Sequence, residues 1–123
     1  MTHDPRRNLT FGDAVEALKL GATVARSGWN GKGMFLFLAK GAFDAAMLGF
    51  KDGEQPAPDH QSTIDGVRLG LFEAGDRGIV TRLPNINMRS ASGSTVTGWL
   101  ASQTDILAND WEIVSINTLP DGA

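Results

Sequence analysis

The spacing of hydrophobic and polar positions changes character along the chain, and each change marks an element. Phe11, Ala14, Val15 and Leu18 recur at helical spacing, which puts them on one face of an α-helix. Thr10, just before the run, suits an N-cap, Asp13 can reach back to it as a capping-box acid does, and Gly21 is a natural stop. A short helix is therefore predicted from Phe11 to about Leu20. Thr23–Arg26 reads as a strand and Met34–Ala39 as a second. Between them lies SGWNGKG, Ser27 to Gly33, whose Asn30-Gly31 pair is a strong hairpin signal. The result is a helix followed by a hairpin, with Trp29 beside the turn.

The pattern weakens from Gly41 to Leu83. FDAAMLGF, Phe43 to Phe50, predicts a short helix closing at Gly49, and Lys51 to Gly66 is polar and broken by Pro56 and Pro58, as in a loop. Val67 to Glu73 alternates like a strand, and AGDRG follows as a turn. Periodicity then returns. Asn85 to Arg89 is a strand entered through Pro84, Ala91 to Ser94 a turn, and Thr95 to Leu100 the returning strand. Ser102 caps a short helix to about Ala108 with Asp105 at its N3 position, and Trp111 to Val114 is a closing strand. These elements add up to an α+β fold, a small antiparallel β-sheet with two or three short α-helices. One domain is expected over 1–123, with tails at 1–8 and 117–123.

Composition narrows the chemistry. The 123 residues are 41% hydrophobic and 20% charged, as in an ordinary globular domain. A net charge of −3 argues against a protein that coats a nucleic-acid polymer. It leaves room for one small anion, because local donors hold a phosphate. With no cysteine there are no disulfides, thiolate zinc sites or cysteine nucleophiles, which fits a reducing cytosol. The opening MTHDPRRNLTFGD lacks a signal-peptide core, and no stretch approaches the roughly 18 apolar residues of a membrane span. A cytoplasmic location is expected.

Catalytic groups are scarce. The histidines are His3 and His60, the first in the N-terminal tail and the second in the Pro-broken loop. Neither has a scaffold for a Ser-His-Asp arrangement or a metal site, and neither HExxH nor DxDxDG spacing occurs. No GxxxxGK[ST] motif occurs, and the Gly-rich piece joins two strands rather than a strand to a helix. Asp105 and Asp110 are readable as a carboxylate pair, or as a helix N-terminal acid beside a solvated turn residue. Neither a catalytic centre nor a cofactor is predicted.

Binding is better supplied. Trp29 sits in a Gly-flanked turn, where its ring either folds onto the sheet edge as a lid or lies open for a base to stack on, at about 1–3 kcal/mol per base. Asn30 is a turn residue or a ligand contact, while Trp99 and Trp111 read as core. Arg26, Lys32 and Arg89 are within reach of phosphates in principle.

Two long segments carry a family resemblance. Leu9 to Leu38 (LTFGDAVEALKLGATVARSGWNGKGMFLFL) and Leu83 to Val114 (LPNINMRSASGSTVTGWLASQTDILANDWEIV) resemble the two ends of the second type of Thoeris anti-defence protein, a phage and prophage family. The ordered motifs FGDAVEALKLG, ARSGWNGKGMF and GWLASQTDILANDWEIV are specific to it and cover about half of the chain. The stretch 42–82 resembles the family-variable insertion of its longer members.

The resemblance implies a sponge in the host cytoplasm. Such proteins bind a cyclic ADP-ribose isomer, of the glycocyclic type, that a TIR-domain enzyme makes as an immune signal. They leave it intact and so keep the Thoeris effector silent; some also hold cyclic dinucleotides of the related CBASS defence. They assemble as homotetramers with pockets between subunits. Carried onto this chain, the resemblance implies ligand contacts at Trp29 and Asn30, with Met34 and Phe35 lining the pocket. Ser102, Gln103 and Asp105 are implied for ribose hydroxyls or base edges, and Asn87 and Arg89 for further contacts, the latter for a phosphate. Helix capping explains Asp105 equally well. The alternatives are an enzyme that degrades the same nucleotide, and a virion or regulatory protein whose pocket is an oligomer seam.

Overall fold

The computed structural model describes residues 4–29, 32–43, 63–74 and 82–116. Its first element, α1 (Phe11–Lys19), begins where the sequence places a cap. The Thr10 hydroxyl accepts from the Asp13 N–H, and the Asp13 carboxylate accepts from the Thr10 N–H. The helix ends in a Schellman arrangement. Gly21 takes a φ of 95°, its N–H goes to the Leu18 carbonyl, and the Ala22 N–H goes to Ala17. The remaining elements in chain order are β1 (Thr23–Arg26), β2 (Phe35–Ala39), β3 (Gly41–Phe43), β4 (Thr63–Ile64), β5 (Val67–Arg68), a 3-10 turn (Leu69–Leu71) and β6 (Phe72–Ala74). Then come β7 (Asn85–Arg89), β8 (Thr95–Val96), α2 (Gln103–Leu107) and β9 (Trp111–Ser115). The architecture is α+β.

Backbone contacts divide the chain into two compact units, Met1–Leu38 with Ile86–Ala123, and Ala39–Asn85. The first is built on a five-stranded antiparallel sheet in the order β8-β7-β2-β1-β9. Register fixes its two faces, because directly paired residues point the same way. Val24 pairs with Leu36 and with Ile113, and Arg26 pairs with Trp111. These side chains share the face on which α1 lays Ala14, Ala17 and Leu18, and there Trp111, Leu18, Leu36 and Val24 are fully buried. Ala25, Phe35, Phe37, Glu112 and Val114 fall on the opposite face. The outer edge of β9 is taken by residues 6–9. Ile113 N–H donates to the Arg6 carbonyl, and Leu9 and Trp111 exchange both backbone bonds.

In the second unit β3 runs parallel to β6, with Gly41 opposite Phe72, and β4 and β5 form a small hairpin. Among its described residues, Phe72, Leu69 and Ala42 are buried. Glycine is required at position 41, where a Cβ would lie 2.5 Å from the Arg82 carbonyl oxygen.

Three expectations change. The strand predicted over Val67–Glu73 is split into β5 and β6 by the 3-10 turn. The returning strand stops at Val96, short of Leu100, because Gly98 turns away at φ 81° and gives its N–H to the Asn87 side chain. The polar loop gains a hairpin at its end, with Thr63–Ile64 as β4 and Asp65 and Gly66 at positive φ. Of the helix predicted over Phe43–Phe50, Phe43 belongs to β3, and the rest lies outside the described residues, as do the Asn30-Gly31 turn and 51–62. Among the described residues no helix is long and apolar enough to cross a membrane.

Candidate functional site

The least ordinary feature of the first unit is an arginine held between two carboxylates. Arg26 ends β1 on the helix-bearing face. Its Nε donates to Asp110 Oδ1 at 2.8 Å and its Nη1 to Asp105 Oδ1 at 2.9 Å. The side chains of Arg26 and Asp105 are 15% and 14% exposed, and that of Asp110 29%. Water therefore competes weakly for the pair, and charge-assisted hydrogen bonds are strong in such a setting. Asp110 also fixes the start of the hairpin connection. Its Oδ2 accepts from the Gly28 N–H at 2.8 Å and stands 3.5 Å from Ser27 Oγ, while its carbonyl accepts from the Ser27 N–H. A Cβ at residue 28 would lie 2.7 Å from Asp110 Oδ2, so a larger residue there would have to displace that carboxylate from its place on Arg26 and the backbone.

Ionisation follows from these contacts. Hydrogen bonds donated to Asp110, then to Asp105, hold the Arg26 guanidinium above its ordinary value against the opposing effect of burial. Asp110 is held below the usual carboxylate range, chiefly by the Arg26 hydrogen bond. For Asp105 burial is the largest single influence and pushes upward. Hydrogen bonds from Arg26, Trp29 and Ser102 together outweigh it, and the result is a lowered value. All three groups are charged at neutral pH, and one guanidinium faces two carboxylates. Its charge is already compensated, so Arg26 is not a free phosphate ligand.

Trp29 lies beside this cluster. Its Nε1 donates to Asp105 Oδ1 at 3.2 Å, the same oxygen that Arg26 uses. The half-buried ring meets Trp111 edge-on at 5.5 Å and Trp99 at 6.4 Å, and Phe11 touches both of those rings. Trp111 is fully buried and donates its own Nε1–H to the Asp105 carbonyl at 2.9 Å. Trp29 is thus packed against the core cluster and also lines a cleft.

That cleft encloses about 390 Å³. Its wall comes from the end of the first hairpin (Arg26, Ser27, Trp29, Lys32, Gly33, Met34, Phe35), from Ala25, from Glu112 and Val114 of β9, and from Arg7. A volume of this order lies within the range of about 300–1,000 Å³ typical of small-molecule sites. Aromatic and apolar side chains form one side. Lys32 is exposed and makes no ion pair among the described residues, whereas Arg7 is already paired, 3.8 Å from Asp4 and 4.0 Å from Glu112. The cleft therefore combines aromatic and apolar side chains with one cation unpaired among the described residues, Lys32, and a paired Arg7–Glu112 at its margin.

The residues singled out from sequence fall into three places. Trp29, Met34 and Phe35 meet at the cleft. Ser102, Gln103 and Asp105 sit at the start of α2, where Ser102 Oγ accepts from the Asp105 N–H and Asp105 Oδ2 accepts from the Ser102 N–H. Gln103 is exposed, and none of the three lines the cleft. Asn87 and Arg89 are on β7. Asn87 is 6% exposed and accepts from the Gly98 N–H, whereas Arg89 donates to Thr95 Oγ1 and lies 5.8 Å over the Phe37 ring. Asn30 lies outside the described residues, as do His3 and His60. Among the described residues no three His, Asp or Glu side chains gather as a metal site would require.

Sequence reasoning missed the clasp. Asp110 is neither one half of an acid pair nor a solvated turn residue, because Arg26 stands between it and Asp105. Glycine directly before Trp29 was the available signal, since it marks a close approach by another chain segment.

A family model described as the Thoeris anti-defense 2-like domain matches residues 9–114. The chain is also 37% identical over 110 residues to Thoeris anti-defense 2 of Bacillus phage SP01, covering 89% of this chain and 99% of that protein.

Proposed function

Since the chain belongs to the Thoeris anti-defense 2-like family, we propose that it is a phage-type anti-Thoeris protein acting as a sponge. In this reading it binds a glycocyclic ADP-ribose made by a TIR enzyme, leaves it intact and lowers the free signal below the effector's threshold. Cyclic dinucleotides of CBASS defence are a second class of guest. The protein works as a homotetramer in the cytoplasm of the infected host.

One observation carries the reading: Trp29, Met34 and Phe35 converge on a cleft with Lys32, unpaired among the described residues, at its margin and Arg7, shared with Asp4 and Glu112, beside it. A nucleotide with a pyrophosphate asks for this combination, a flat ring for the base and cations for the anion. Sequestration also sets a demand on affinity. A nanomolar Kd corresponds to about −12 kcal/mol, which a small ligand reaches only when well enclosed. The cleft of one protomer is open, and a neighbouring subunit in the tetramer supplies the missing wall. Ser102 and Gln103, away from this cleft, are then available to the guest of an adjoining protomer.

The test is direct. Protein saturated with glycocyclic ADP-ribose is heat-denatured and the released compound is analysed by mass. Intact compound is expected, and a cleavage product would replace the sponge with an enzyme. Trp29→Ala should weaken binding 10-fold or more by calorimetry, on the order of the stacking energy. Unchanged affinity would remove Trp29 from the site.

A further inference from the structure

Trp29 is connected to the rest of the unit in an unusual way, and the connection is polar. The Asp105 carboxylate accepts the indole Nε1–H at 3.2 Å, and the same oxygen is fixed by Arg26 at 2.9 Å. Arg26 is in turn fixed by Asp110, which also holds the Gly28 N–H immediately before the tryptophan. An indole has two side-chain torsions. Packing against Trp99 and Trp111 limits their range, but edge-on and tilted contacts tolerate rocking. A hydrogen bond to the ring nitrogen does not, because the N–H must point at a fixed oxygen.

We propose that Asp105, with Arg26 behind it, is a positioning residue that sets the orientation of the Trp29 ring before a ligand arrives. This rests on the reading above, in which Trp29 stacks on the nucleobase. Binding then does not have to freeze the ring, and the ordering cost of association is correspondingly smaller. The cluster also separates two kinds of positive charge. Arg26 is matched by carboxylates and serves as a strut, whereas Lys32 stands free at the cleft among the described residues. The assignment differs from a direct contact between Asp105 and the ligand, because Asp105 does not line the cleft.

A double-mutant cycle with glycocyclic ADP-ribose as the probe tests this on the full-length chain. Trp29→Phe deletes the N–H and keeps a ring. Asp105→Ala deletes the acceptor, and Asp105→Asn restores an acceptor without the charge. Calorimetry gives Kd, and 19F NMR of 5-fluorotryptophan-labelled protein reports the Trp29 resonance, assigned by its loss in Trp29→Phe. Asp105→Ala is expected to weaken binding about tenfold and to shift or broaden the Trp29 resonance in the free protein. Asp105→Asn should recover most of both. In the Trp29→Phe background Asp105→Ala should then cost less than about twofold, because no N–H remains to be held.

Equal losses in both backgrounds would overturn the proposal and make Asp105 a ligand contact. An unmoved Trp29 resonance in free Asp105→Ala would overturn it as well. Should Asp105→Ala fail to fold, the same two readings are taken on Arg26→Lys, whose single ammonium cannot hold both carboxylates as the planar fork does, and an undisturbed ring with unaltered Kd there would end the proposal. If Trp29→Ala and Trp29→Phe both bind as the native chain does, the stacking reading fails instead, and the 19F signal still decides whether Asp105 orients the ring.

Discussion

The two helices of the first unit start with the same device and put it to different use. At α1, Thr10 and Asp13 exchange side-chain and backbone hydrogen bonds, and at α2, Ser102 and Asp105 do the same. Beyond the cap the two diverge. α1 continues for nine residues, buries Ala14, Ala17 and Leu18, and ends on a glycine at positive φ. α2 lasts five residues, buries none of its side chains and leaves Ile106 46% and Leu107 75% exposed. Its contribution is polar. Asp13 serves its own helix, whereas the second oxygen of Asp105 reaches out of α2 to Arg26 and Trp29. One cap stabilises a packing element, and the other anchors a site.

That contrast is open to measurement, beginning with the packing side. Leu18→Ala, at a site 1% exposed, should cost about 2–5 kcal/mol in denaturant unfolding, as cavity-forming substitutions do. A loss under about 1 kcal/mol would mean that α1 is not the element that holds the sheet.

The polar side should give a smaller, pH-dependent effect. Arg26→Met leaves two carboxylates without their partner and should cost about 1–3 kcal/mol at neutral pH, between the exposed and fully buried limits for ion pairs. Asp105 and Asp110 both have folded-state values below their unfolded ones. Their contribution is therefore present above the unfolded value and is lost as pH falls through the folded one. The gap between native and Arg26→Met stabilities should accordingly be constant from about pH 5 upward and shrink below about pH 4. A gap that widens in acid would contradict the clasp.

Smallest are the caps. Thr10→Ala and Ser102→Ala should each cost about 1 kcal/mol in thermal or denaturant unfolding. They should part company in the Trp29 fluorine signal, which Ser102→Ala disturbs through Asp105 and Thr10→Ala leaves alone. Identical signals in both variants would erase the distinction between the helices.

What could be foreseen followed from local physics. Both caps, the Gly21 stop, β1, β7 and the Trp111 strand depend on neighbours in sequence, so residue types at close spacing announce them. The family assignment came from ordered motifs in the two end segments. The clasp was hidden because Arg26 and Asp110 are 84 positions apart, and no local pattern tells a solvated aspartate from one aimed at a distant guanidinium. Trp29 was the middle case. A ring in a glycine-flanked turn was conspicuous, yet its simultaneous packing on Trp111 and exposure to a cleft depended on β9 arriving beside β1. The short reach of β8 was equally opaque, since it turns on Asn87 capturing the Gly98 N–H.

The backbone of residues 6–9 along β9 has its own consequence. On the sponge reading proposed above, the molecule has to accumulate to match what it soaks up, and crowded strands with bare hydrogen-bonding rims tend to zip together. Here one rim of the sheet is already occupied by the chain's own beginning, and the other, β8, is only two residues long. Along residues 111–113, at least, no bare strand rim is left for a second copy to extend.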